Sequence, residues 1–143
     1  MKSRVFLKMY PHEEATIRAF FKPQRRLRWL ESLASPKRRN TILDKLNHCQ
    51  DLDHRFATPL SSKSDVVWVL KSHGAPVSCY VLSSTLGLDG CEMELSEAIS
   101  QTELAGWGTI ISCIPGHLAY YYDECGERRI LLTRGRSNSH EHL

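Results

Sequence analysis

The chain has 143 residues, 41% of them hydrophobic and 24% charged, with a formal net charge of +3. That balance excludes a disordered chain, a coiled coil and a collagen-like or low-complexity sequence. At this length folding buries roughly two-thirds of the surface the unfolded chain exposes, so a core needs neither a disulfide nor a metal.

No stretch approaches 18 uninterrupted apolar residues, so the sequence predicts no transmembrane helix and no membrane partner. Lys8 and then His12-Glu13-Glu14 break the N-terminal apolar run too early for a signal peptide. The five cysteines, Cys49, Cys79, Cys91, Cys113 and Cys125, are odd in number and contain no CxxC pair. Without an export signal they read as reduced thiols in a cytoplasm.

The net charge conceals an asymmetry. Through Arg55 there are thirteen Lys and Arg against six Asp and Glu, a balance of +7; from Phe56 onward the balance is −4. Two readings follow: a basic face offered to an acidic partner, or a basic segment docked on the chain's own acidic half.

In chain order, Arg4 to Tyr10 alternate weakly, as a short strand or extended arm would. Pro11 opens a helix that Glu13 and Glu14 support at its positive end and that runs to about Phe21. Pro23 opens a second, with Leu27, Leu30, Leu33 and Ala34 at helical spacing. Ser35-Pro36 starts a third, burying Ile42, Leu43, Leu46 and Cys49. Asp51 to Lys63 is polar and reads as an irregular linker. Ser64 caps a short helix, Asp65 to Ser72, ended by Gly74 and Pro76.

Ser78 to Leu82 is a strand, Leu88-Asp89-Gly90-Cys91 a turn, and Ser96 to about Leu104 a helix. Three strand-like runs follow: Gly108–Ile114, Leu118–Asp123 and Arg128–Arg134. Pro115-Gly116 suits a type II turn between the first two, and Cys125-Gly126 makes the next. With Ile114 opposite His117, Ile111 faces Tyr120 and Thr109 faces Tyr122. Tyr122 then meets Arg129 in the second hairpin. One face carries Ile110, Ser112, Ile114, Ala119, Tyr121, Ile130 and Leu132. The other carries Ile111, Cys113, Leu118, Tyr120, Tyr122, Arg129 and Leu131. Both are largely apolar, so both need cover, one from the Ser96 helix and one from the N-terminal helices or a partner.

These elements predict an α+β fold in which an N-terminal helical segment packs on a small, mainly antiparallel sheet ending in a three-strand meander. The organisation is a single domain over 1–134, basic and helical over 1–55 and mixed over 56–134, followed by a flexible tail at 135–143.

The sharpest anomaly is cationic. Lys37, Arg38 and Arg39 fall at the start of the third helix and Arg25, Arg26 and Arg28 near the start of the second, where positive charge opposes the macrodipole. Beside free backbone N–H groups they would hold phosphate, with Trp29 and Phe21 available to stack on bases. Tyr120 and Tyr122 beside Arg129 form a secondary candidate, a stacking platform on the sheet, although half-buried packing is the commoner use of such tyrosines. His48-Cys49 with His54, and Cys113 with His117, match no zinc spacing, so no metal or cofactor is expected. As a catalytic pair, Cys113 and His117 point to opposite faces in this register. Glu92 and Glu94 alternate along a short strand, about 7 Å apart on one side, as an acid–base pair or exposed edge charges would. Gly106-Trp107-Gly108 is an aromatic bend, either a pocket gate or a helix stop with an anchoring indole.

The leading expectation is a small soluble binding protein whose basic helical surface engages a polyanion, nucleic acid included, or an acidic protein. The alternative is a small enzyme with a polar site at the edge of the meander. A homodimer joining the basic part of one copy to the acidic part of another is a third reading.

Overall fold

The computed structural model describes residues 11–135; the expected arm at Arg4–Tyr10 and the tail beyond Gly135 lie outside them. The fold is α+β, with a six-stranded, fully antiparallel sheet covered on both faces by helices.

Helix α1 (Pro11–Phe20) has Pro11 in its first turn with Glu13 and Glu14, and Arg18 in its last, all favourable to the macrodipole. Helix α2 (Pro23–Ala34) buries Trp29, Ser32 and Leu33. Leu27, expected on the core side, is exposed instead. It lies about 200° around the helix from Trp29, and the larger indole takes the inward position against Phe21. The third helix is shorter than expected: α3 (Arg39–Leu43) runs into a 3₁₀ helix, Asp44–His48. Leu46 points into the core, and Lys45 and His48, three residues apart, share an exposed side.

The polar stretch after Asp51 is not all irregular. A 3₁₀ turn (His54–Phe56) leads into strand β1 (Ala57–Pro59), which pairs with β6 (Arg129–Thr133) at one sheet edge. Proline at that edge lacks an N–H to offer a further strand. Helix α4 (Val66–Ser72), capped by the Asp65 carboxylate, precedes β2 (Ser78–Ser83). Then come β3 (Glu92–Glu94), α5 (Leu95–Ala105), β4 (Thr109–Ile114) and β5 (Leu118–Tyr122). The strand order is β1-β6-β5-β4-β2-β3, so β4, β5 and β6 form the expected meander.

The meander register matches the reading from turn chemistry at Thr109↔Tyr122, Ile110↔Tyr121, Ile111↔Tyr120, Ser112↔Ala119 and Tyr122↔Arg129. Gly116, at φ 77°, occupies the position of the Pro115-Gly116 turn that requires a left-handed backbone, and the His117 amide closes the turn on the Ile114 carbonyl. One correction falls at its end. The register slips between Ser112 and Ile114, so Ile114 pairs with Leu118 and packs on the opposite face from the one alternation assigns.

Helices α1 to α3 cover Tyr80, Leu82, Ile110, Ala119, Tyr121, Ile130 and Leu132. Helices α4 and α5 cover Val81, Ile111, Cys113, Leu118, Tyr120, Tyr122 and Leu131. No helix among the described residues is long and apolar enough to cross a membrane.

Candidate functional site

The candidate cations separate into a sealed group and an open one. Arg39 belongs to the first. Its Nη1 and Nη2 donate to Glu13 Oε1 and Oε2 at 3.0 and 2.7 Å, and its Nε donates to Asp89 Oδ2 at 2.9 Å. Nη1 also reaches the Leu33 carbonyl at 3.1 Å and Nη2 reaches Asp89 Oδ1 at 3.3 Å, so all five guanidinium N–H groups are used. Burial alone would lower the Arg39 pKa, but its hydrogen bonds to the two carboxylates and their charge outweigh it and raise it. Glu13 is buried, and Tyr80 donates its hydroxyl to Glu13 Oε2. Burial and that bond push the Tyr80 phenol upward. His12 stacks on Tyr80, and its Nδ1 lies 2.6 Å from Ser112 Oγ. Burial lowers the His12 pKa, partly opposed by Glu92. Such a group holds α1, α3 and the β2–β3 loop together and leaves Arg39 no donor for an outside anion.

At the start of α3 the backbone donors are also taken. The amides of Arg38 and Arg39 both bond back to the Ser35 carbonyl or hydroxyl, so the backbone at α3 is occupied. Trp29 is 1% exposed, packs on Phe21 and donates Nε1–H to Asp51 Oδ2 at 2.9 Å. Neither ring is open to a base. Arg26 donates its Nε–H to the Phe21 carbonyl at 3.0 Å.

The open group lies between α2 and the 3₁₀ helix. Arg25, Arg28, Asp44, Lys45, His48, Gln50 and Asp51 line a crevice of 340 Å³. Arg25 and Arg28 lie one turn apart on α2, and Lys45 and His48 one turn apart on the facing 3₁₀ helix. Of the two carboxylates, Asp51 is committed to Trp29 and, at 3.5 Å, to Arg25 Nε. His48 Nε2 lies 2.7 Å from Glu124 Oε1. Arg28, Lys37, Arg38 and Lys45 are exposed and have no ion pair among the described residues. Of the seven ion pairs there, only Arg39–Asp89 and His48–Glu124 join the basic N-terminal part to the acidic remainder. Carboxylates of the acidic half therefore neutralise few of the N-terminal cations among the described residues.

The secondary candidate is closed. Tyr120 and Tyr122 are 0% and 4% exposed beneath α4 and α5, so they cannot serve as a platform. Arg129 sits 5.7 Å from the Tyr122 ring centre and 3.7 Å from Glu103. The enzymatic candidates are dispersed. Cys113 is buried, and burial pushes its thiol upward, opposite to the shift an activated nucleophile needs. His117 Nδ1 donates to the Arg134 carbonyl at 3.0 Å. Glu92 and Glu94 lie exposed on the edge strand β3. No three His, Cys, Asp or Glu among the described residues gather as a metal site. A second cleft, of 450 Å³, is lined by His73, His117 and Arg134, but the Arg134 guanidinium turns away to the Ala19 carbonyl and the Phe56 ring.

Sequence reasoning singled out Arg25 and Arg28 but missed Lys45 and Gln50 and weighed His48 only as a metal ligand; the three-residue spacing of Lys45 and His48 is a signal only once that segment is known to be 3₁₀. It also missed Glu13 and Asp89 as partners of Arg39, and Tyr80 as the donor to Glu13. No protein-family model, curated protein or solved structure matches the chain.

Proposed function

We propose that the chain is a binding protein whose crevice between α2 and the 3₁₀ helix Asp44–His48 holds a phosphate-bearing polyanion. The observation that carries the reading is the set of cations left uncompensated around it. Arg28 and Lys45 both line the 340 Å³ crevice, beside Asp44, and neither cation has an ion-pair partner among the described residues, while Arg39 on the same helical segment is fully satisfied. A cation held for internal stability finds a carboxylate, as Arg39 does. Exposed arginines and lysines that converge without one offer charge-assisted donors to an outside anion, arginine by its fork and lysine as a point charge. Lys37 and Arg38, exposed on the neighbouring turn, extend the positive field.

Fluorescence anisotropy with a labelled oligonucleotide over a range of salt tests it. Binding should weaken on a log–log slope of about −0.7 to −0.9 per phosphate contact, and the double charge reversal Arg28→Glu/Lys45→Glu should abolish it. Undetectable binding at low salt, or binding indifferent to the double reversal, refutes the crevice as the site.

A further inference from the structure

The crevice is not purely cationic. Arg25, Arg28 and Lys45 share its lining with Asp44 and Asp51, three fixed positive charges beside two negative ones. The two carboxylates differ in what they do. Asp51 accepts from Trp29 and pairs with Arg25. Asp44 is held at the start of the 3₁₀ helix by its own amide, which bonds to the Asn40 and Ile42 carbonyls. Its side chain is exposed and makes neither an ion pair nor a hydrogen bond among the described residues. A carboxylate left free beside free cations weakens their pull on a bare chain of phosphates, and it can only accept hydrogen bonds. It suits a ligand that carries hydroxyl donors between its phosphates. The backbone of RNA is such a ligand, because every ribose offers a 2′-hydroxyl that DNA lacks.

We propose that the crevice selects RNA over DNA, with Arg28 and Lys45 holding phosphates and Asp44 accepting a hydrogen bond from a 2′-hydroxyl. The ligand then meets both kinds of unpartnered group in the lining, and the carboxylate that opposes phosphate binding becomes the source of selectivity. DNA binds the same cations through its phosphates but leaves Asp44 unpaired and repelling. This inference rests on the phosphate reading above, which can hold without it.

The test titrates oligo(U), oligo(dU) and 2′-O-methyl oligo(U) of equal length, with inorganic polyphosphate as a competitor, against the full chain, Asp44→Ala and Arg28→Glu/Lys45→Glu. Oligo(U) should bind about 3- to 10-fold more tightly than oligo(dU), the net worth of one hydrogen bond at an exposed site. Methylation, which keeps the ribose but removes its donor, should cost a similar factor on the unaltered chain. Asp44→Ala should act in two directions: it should tighten oligo(dU) and polyphosphate by removing a negative charge, and it should erase the preference for oligo(U). Equal tightening of oligo(U) and oligo(dU) in Asp44→Ala, equal binding of the two by the unaltered chain, or a methylated oligomer as tight as oligo(U) overturns the selectivity. The phosphate site stands in those cases if oligo(dU) and polyphosphate still bind and still respond to the double reversal. Failure of the unaltered chain to bind any of these ligands overturns both.

Discussion

Arg39 and Arg28 make an instructive pair. Both come from the cation-rich helix starts, and in sequence nothing sets one above the other. In the fold, Arg39 meets a buried carboxylate from α1 and a second from the β2–β3 loop, and its last free N–H closes on the Leu33 carbonyl. Arg28 lines a crevice in which one carboxylate, Asp51, is already shared by Trp29 and Arg25, and it makes no ion pair among the described residues. The contrast shows that a cationic segment is not one feature. Its members divide according to which carboxylates tertiary packing delivers, and those passed over can turn outward.

Breaking the sealed side should have the largest effect. Arg39→Met leaves Glu13 charged in the core without its partner and should cost about 3–5 kcal/mol, read as the shift in a urea midpoint. A loss below about 1 kcal/mol would mean that the group contributes little. Gly108→Ala should follow, at about 1–3 kcal/mol, because its methyl group meets the Leu46 backbone and not a side chain that can swing away. The open side should respond in the opposite sense. Arg28→Glu/Lys45→Glu should change stability by no more than about 0.5 kcal/mol while removing oligonucleotide binding; a large drop in stability would make those cations structural.

The smallest expected effect is a pH dependence at His12. Its folded pKa is lowered, so below about pH 6.5 the unfolded chain takes up the proton more readily. Its contribution is therefore complete at neutral pH and is lost as pH falls through the unfolded value toward the folded one. His12→Gln should flatten the stability curve in that window, and an unchanged curve would place the dependence elsewhere.

Local chemistry made much of the fold legible in the sequence. Pro115-Gly116 set the meander turn, and period-two alternation then assigned every face up to Ser112. Ile114 escaped because a bulge leaves no mark in an alternating pattern. Strand β1 escaped because three residues, one of them proline, carry no strand signature apart from their pairing with β6. Leu27 was misplaced because helical spacing alone does not say whether leucine or the neighbouring tryptophan turns inward. Of the site, the cations could be seen, but not their fate. Arg39 lies 26 residues from Glu13 and 50 from Asp89, and the facing wall at Lys45 and His48 exists only after α3 tightens into a 3₁₀ helix.

Amide chemical-shift mapping on the full chain with oligo(dT) at low salt addresses the division between the two cation groups most directly. Shifts should cluster at Arg25, Arg28, Lys45 and His48, with Glu13, Arg39 and Asp89 unmoved. Shifts centred on Arg39 and its carboxylates, or none anywhere, would contradict the assignment of binding to the open crevice.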